Sequence, residues 1–249
     1  MYLASTRNWH IQLRLTLLPF AAERVQAAIA GRERLEASEN SAPTPVARRA
    51  VTMADLLHVK EALLSSVSTS AADRLTLWAA VTLGFFGFLR GSEYLSPARH
   101  HFHRQRTLQL RHLTVHRNRL VVRIPASKTD QLGEGTSVII DSTGTSVCAV
   151  AAMQAHLLSQ HRAPDEPIFA YTDGNLLTAA DLNRRLKEWC GAGTSTHSLR
   201  IGATTAAARA GLPTWQLPAC GRWRSDAYLR YIRKEAGAFD GVARRVAGH

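Results

Sequence analysis

Thr196-His197-Ser198-Leu199-Arg200, followed by Gly221-Arg222-Trp223-Arg224-Ser225-Asp226-Ala227-Tyr228-Leu229-Arg230-Tyr231, is the stretch that decides how this chain is read. It supplies an imidazole, guanidinium groups, an indole N–H and phenols, all groups that grip or attack a phosphate. Arg200 follows His197 by about one helical turn, so on a helix both side chains face one spot, and that spot favours an anion. Outward from it, Arg90 closes an apolar run in Gly87-Phe88-Leu89-Arg90-Gly91-Ser92-Glu93, and Lys128 sits in Ser127-Lys128-Thr129-Asp130. An arginine at a helix end ordinarily meets the helix dipole. Glu93 beside Arg90 argues for a held, oriented guanidinium instead.

The rest of the composition agrees with an anionic partner. The 249 residues carry 31 Lys+Arg against 19 Asp+Glu, a net charge of +12. Each basic group set against a phosphate releases a condensed counterion, so a polyanion is the natural partner. Charge alone does not separate nucleic acid from an anionic membrane surface, but no basic amphipathic helix stands out. The most apolar run, Leu75 to Leu89, is shorter than the roughly 20 residues that cross a bilayer and reads as a buried core helix. At 45% apolar and 20% charged the chain is globular rather than disordered. Cys148, Cys190 and Cys220 are far apart with no CxxC pairing, which argues against a disulfide framework and suits a reducing compartment.

Periodicity predicts a mostly helical α+β chain with one small antiparallel sheet. Helices are expected around Ser5 to Leu17 and Ala21 to Ala37, then a linker, Ser38-Glu39-Asn40-Ser41-Ala42-Pro43-Thr44-Pro45, placing a domain boundary near residue 48. Thr52 with Asp55 opens a helix that packs Leu56, Leu57, Leu63 and Leu64. Ser70 with Asp73 opens an all-round apolar helix that runs to Leu89 and carries Arg90 at its end. Leu113-Val115, Leu120-Val122-Ile124 and Val138-Ile139-Ile140 alternate as strands, with Arg117-Asn118 as the first turn and Lys128 in the second connection. Helices return at about Ser146 to His161, Thr178 to Cys190 and from His197 or Ser198 to Ala210; Pro218 limits the next segment, and Ser225 with Asp226 caps a helix bearing Tyr228 and Tyr231. The histidines His100, His101 and His103 have no cysteine or carboxylate at matching spacing, so the loop reads as basic and DNA-facing rather than as a metal site.

Arg90, Lys128, His197, Arg200, Trp223 and Tyr231 occur in this order, and the set resembles the tyrosine recombinase (phage integrase) family over about residues 50 to 235. The wording Gly221-Arg222-Trp223 and Tyr231-Ile232-Arg233 is most similar to recombinases of Crypton and DIRS-type mobile elements. The resemblance implies a tyrosine recombinase catalytic domain over residues 49–249, with a basic C-terminal tail. Before it, residues 1–48 would be a partial helical, SAM-like core-binding segment and linker, so a fragment or degraded copy is expected. It implies that Arg90 and Arg200 grip the phosphate, with Glu93 as the acidic residue that often follows the first arginine. Lys128 would be the general acid toward the 5′-hydroxyl, His197 an acid/base and phosphate donor, Trp223 an indole donor packed near the nucleophile, and Tyr231 that nucleophile. The spacing from Trp223 to Tyr231 is one residue shorter than is usual in the family, which keeps Tyr228 as the second candidate. Pro218 sits where a helix would lead to Trp223 and would shift that indole.

Such chemistry needs fixed positive charge, an oxygen nucleophile and an acid for the departing oxygen, and no metal or cofactor. The expected partner is double-stranded DNA, with a homotetramer assembled on two sites, and no membrane or small-molecule cofactor. The compartment would be nuclear in a eukaryote and cytoplasmic in a prokaryote. The rival reading is a recombinase-derived DNA-binding protein that no longer cuts.

Overall fold

The computed structural model describes residues 10, 13–14, 22–25, 27–28, 31, 48–125, 135–213, 215–223 and 228–229. It divides into two compact units, Met1–Ala47 and Arg48–His249. In the first, residues 23–25, 27–28 and 31 are helical; most of the two expected N-terminal helices, and the linker, lie outside the described residues.

The second unit is built on the apolar helix. Helix α1 (Met53–Ser65) starts at Thr52, whose hydroxyl accepts from the Asp55 N–H while the Asp55 carboxylate accepts from the Thr52 N–H. This reciprocal cap satisfies donors that a helix start otherwise leaves open. Its buried face is Leu56, Val59 and Leu63; Leu57 and Leu64, expected inside, are exposed because they lie off the stripe that these three define. Helix α2 (Ala71–Phe86) buries every residue from Thr76 to Phe85, as an all-round apolar helix must. It does not continue to Leu89. Gly87 caps it, and Phe88 turns the chain through the left-handed region at φ 51°. Helix α3 (Gly91–Tyr94) follows at once.

A 3₁₀ turn (Leu110–His112) leads into β1 (Leu113–Val115), β2 (Arg119–Ile124) and β3 (Thr136–Asp141), an antiparallel sheet in the order β1-β2-β3. Leu120 pairs with Val115 on one side and Ile140 on the other. Leu120, Val122 and Ile124 are buried in alternation, the period of two that marks a half-buried strand. The β2–β3 connection, residues 126–134, lies outside the described residues, and Lys128 with it.

Helix α4 (Ala149–Ser159) packs on α2, α5 (Ala179–Cys190) on α1, and α6 (Thr196–Arg209) on α2. Thr178 caps α5 by accepting from the Asp181 N–H, and Gly191 ends it at φ 89°. Helix α7 (Gln216–Gly221) contains Pro218 in its first turn, where a helix N–H has no intrahelical acceptor to lose. Among the described residues no helix is long and apolar enough to cross a membrane.

His156 of α4 is buried against this core. Its Nε2–H donates to the Ile168 carbonyl at 3.0 Å, and Nδ1 lies 3.2 Å from the Thr76 hydroxyl. Burial lowers its pKa, with help from the Arg162 charge and against the Ile168 bond. The unfolded chain therefore takes up a proton near the ordinary histidine value, about 6.5, that folded His156 refuses. The state that binds more protons gains on acidification, so stability is full above that pH and falls below it. Thermal melts should show the midpoint dropping from about pH 7.5 to about pH 5.5, less steeply in His156→Gln.

Candidate functional site

The site forms where the α2–α3 turn meets the start of α6. A Cβ on Gly91 would lie 2.9 Å from the Thr196 hydroxyl, and one on Gly84 would strike the Tyr94 ring and touch Leu199. Absence of side chains at Gly84 and Gly91 thus lets α3 settle against α6 and sets Arg90 beside His197. From the other side, the Arg49 N–H donates to the Gly193 carbonyl and the Val51 N–H to the Ser198 carbonyl, at 3.0 and 3.1 Å. The Arg49 guanidinium pairs with Asp55 at 2.8 Å and donates to the Cys190 carbonyl, fixing the segment that carries Arg48.

Arg90 is not the last residue of the apolar helix, as its position in sequence suggests. It is the N-cap of α3, extended at φ −80°, because the chain has already reversed at Phe88. Its side chain is 24% exposed and pairs with Glu93 at 2.8 Å. Glu93 is buried and also accepts from the Arg90 backbone N–H at 2.8 Å and from Arg222 at 2.7 Å. The carboxylate orients a partly exposed guanidinium, leaving it able to meet an anion.

His197 is half-buried in the first turn of α6. Burial, and then the charges of Arg48, Arg200 and Arg90, hold its pKa below the usual histidine value, so the free site keeps it neutral near pH 7. A phosphate would oppose those charges and raise the pKa, and by linkage the anion would bind more tightly as pH falls through the histidine range. The His197 ring resonances, titrated with and without a DNA duplex, should give the higher pKa in the complex; an unchanged value would place the phosphate elsewhere.

Arg200 is fully buried. Its Nη1 donates to the Phe88 carbonyl at 2.5 Å and Nη2 to the Gly221 carbonyl, and the Trp223 ring lies over the guanidinium with its centroid 4.2 Å from Cζ. This arginine clamps the α2–α3 turn to the end of α7 in the structure shown. Trp223 also lies beside Tyr228, ring centroids 6.2 Å apart, and Tyr228 is buried. Tyr231 lies outside the described residues, as does most of the helix expected to carry it. The structure thus brings Arg90, His197, Arg200 and Trp223 into one neighbourhood, and adds Arg48 and Arg222. Arg222 stands in the opening stretch, but its place beside Glu93 has no local sequence signal. The histidines His100, His101 and His103 are exposed, and among the described residues no three His, Cys, Asp or Glu side chains form a group suited to a metal.

No protein-family model matches the sequence, and no curated protein does. Solved structures do match. The XerH site-specific recombinase in a post-cleavage complex with its difH substrate aligns at 14% identity over 80% of this chain and 52% of that one, TM-score 0.59. The XerA recombinase aligns at 14% over 83% and 66%, TM-score 0.55. A lambda integrase dimer bound to a COC′ core site aligns at 14% over 92% and 63%, TM-score 0.54. The chain spans about half the length of the XerH chain and under two thirds of that lambda integrase chain. A mixed α+β architecture, with a central apolar helix and a three-stranded antiparallel sheet, is therefore the fold of the tyrosine recombinase catalytic domain.

Proposed function

We propose that the chain is a site-specific DNA breaking and rejoining enzyme that works through a 3′-phosphotyrosyl intermediate. The observation that supports this most is the convergence of Arg90 and Arg48 on His197 at the α3–α6 contact, where burial first and these charges second hold the imidazole pKa below its ordinary value. In this reading the Tyr231 oxygen attacks the scissile phosphorus and its proton passes to neutral His197. The bond to the 5′-oxygen breaks, and Lys128 gives that oxygen its proton. Arg90 holds a non-bridging oxygen, and Arg200 takes the other role the resemblance gives it once its Nη donors leave the Phe88 and Gly221 carbonyls, since a planar fork pairs two donors with two oxygens. The phosphotyrosine ester keeps the energy of the cut bond, so rejoining needs no ATP. DNA is the partner, in a homotetramer on two sites, and a mobile element of the Crypton or DIRS type is the proposed origin. Tyr228 is the second candidate nucleophile because it is already beside Trp223.

The rival reading, a DNA-binding protein that no longer cuts, gains support from Arg200, whose Nη donors hold main-chain carbonyls rather than facing outward. Nicked duplexes separate the two. The cut end diffuses away and a covalent protein–DNA species accumulates, located by peptide mass spectrometry. An adduct on Tyr231 that vanishes in Tyr231→Phe is expected. Arg90→Ala should slow its formation by about 100-fold to 1000-fold, the loss seen when one transition-state donor is removed, with salt-sensitive binding retained. An adduct on Tyr228 would reassign the nucleophile. Binding with no adduct on either tyrosine would establish the rival.

A further inference from the structure

Arg222 ends α7 in the left-handed region, φ 55° and ψ 44°, a conformation that a non-glycine residue adopts at a cost. Its side chain is 10% exposed and turns back across the site. Nη2 reaches the buried Glu93 carboxylate at 2.7 Å and the Phe88 carbonyl at 3.4 Å, while Nη1 reaches the Gly87 carbonyl at 3.3 Å. Phe88 is itself left-handed, and its carbonyl also accepts from Arg200. Two strained residues on separate loops are thus tied by one guanidinium, and such strain persists only where the surroundings over-determine it. The Arg222 Nε–H is buried with no hydrogen-bond partner among the described residues, a further cost that simple helix capping does not explain.

We propose that Arg222 is a positioning residue of the phosphate site: through the shared Glu93 carboxylate it sets the Arg90 guanidinium, and through its own backbone it holds Trp223 over Arg200. The proposal rests on the phosphate-binding reading above. Glu93 Oε1 accepts from the Arg90 guanidinium, while Oε2 accepts from both the Arg90 backbone N–H and Arg222, so losing Arg222 leaves Oε2 on a single neutral N–H and lets the carboxylate, and the Arg90 guanidinium paired with it, shift. Gly221 is buried against Trp223, where a Cβ would overlap the ring, so the indole is folded back closely on the turn that Arg222 anchors. A lysine at 222 would keep one charge but lose the planar fork that reaches a carboxylate and two carbonyls together.

Arg222→Gly is the decisive variant, because glycine fits the left-handed backbone without strain, so the side chain is removed while the turn keeps its conformation. Two readouts on the full chain are needed: covalent adduct formation on nicked duplex, and inorganic phosphate titrated while the His197 ring resonances are followed. Arg222→Gly is expected to fold with a lower melting midpoint, since Glu93 loses one of its two cationic partners, to bind phosphate about tenfold more weakly and to cleave about a hundredfold more slowly. Arg222→Lys should recover part of both losses. Unchanged phosphate affinity in Arg222→Gly, or no phosphate response at His197 in the wild type, overturns the proposal. If the wild type forms no adduct yet its phosphate affinity depends on Arg222, the cleavage reading fails and the positioning role stands.

Discussion

Arg200→Ala is expected to destabilise the second unit by about 3 to 5 kcal/mol, and, under the proposed function, to abolish cleavage in the same step. The guanidinium is fully buried and ties the Phe88 carbonyl to the Gly221 carbonyl. Alanine reaches neither, and a buried carbonyl left without a donor costs about 1 to 3 kcal/mol. The Trp223 ring loses the cation beneath it, a contact worth about 2 kcal/mol when desolvated. At about 2 to 4 °C per kcal/mol for a domain of this size, the melting midpoint should fall by about 10 °C. Arg200→Lys should lose nearly as much, since one ammonium cannot span two carbonyls on separate loops while lying flat under an indole. A loss below about 1 kcal/mol in Arg200→Ala would mean that Trp223 does not cover this arginine in solution and that water already serves the carbonyls.

Gly202→Ala should cost about 3 kcal/mol or more, although alanine is the better helix former by about 1 kcal/mol. Gly202 lies in α6, and a Cβ there would sit 1.8 Å from the Val51 carbonyl oxygen and 3.1 Å from the Phe85 ring. Neither neighbour has room to retreat. Val51 is fully buried and its N–H is bonded to the Ser198 carbonyl, while Phe85 is in the buried core of α2. The extra methyl must therefore push the 49–51 segment away from α6, which would also carry Arg48 from His197. Urea unfolding should show a lower midpoint at constant slope, the mark of lost stability without a change in exposed surface. A neutral or stabilising result would mean that the segment before α1 is not seated on α6.

Periodicity and caps located most of the elements. The Thr52 and Asp55 pair and Ser70 with Asp73 each begin the helix they predict, because a capping hydroxyl and a first-turn acid act within a few residues of the backbone they serve. The alternation in β2 likewise marked the buried face of the sheet. Leu57 and Leu64 were misplaced because leucine on a helix is compatible with either face until the packing partner is known. Arg90 was misplaced by the length of an apolar run: hydrophobicity continues through Leu89, whereas the helix stops at Phe86 in a left-handed turn that apolar residues do not advertise.

The chemical groups of the site were legible as well, since His197 and Arg200 share a helix and their separation follows from its pitch. By itself, the sequence determined most of the elements among the described residues, a basic composition suited to a polyanion, and an inventory of side chains able to meet a phosphate. Only the tertiary structure decided how those side chains are spent. Arg90 is held partly exposed by Glu93, Arg200 is turned inward onto two carbonyls beneath Trp223, and Arg222 shares the buried carboxylate with Arg90 and the Phe88 carbonyl with Arg200. The reason is that a guanidinium has the same charge and the same donors wherever it stands. Whether it faces an anion or a main-chain oxygen depends on which loops from distant parts of the chain close around it, and no local pattern encodes that.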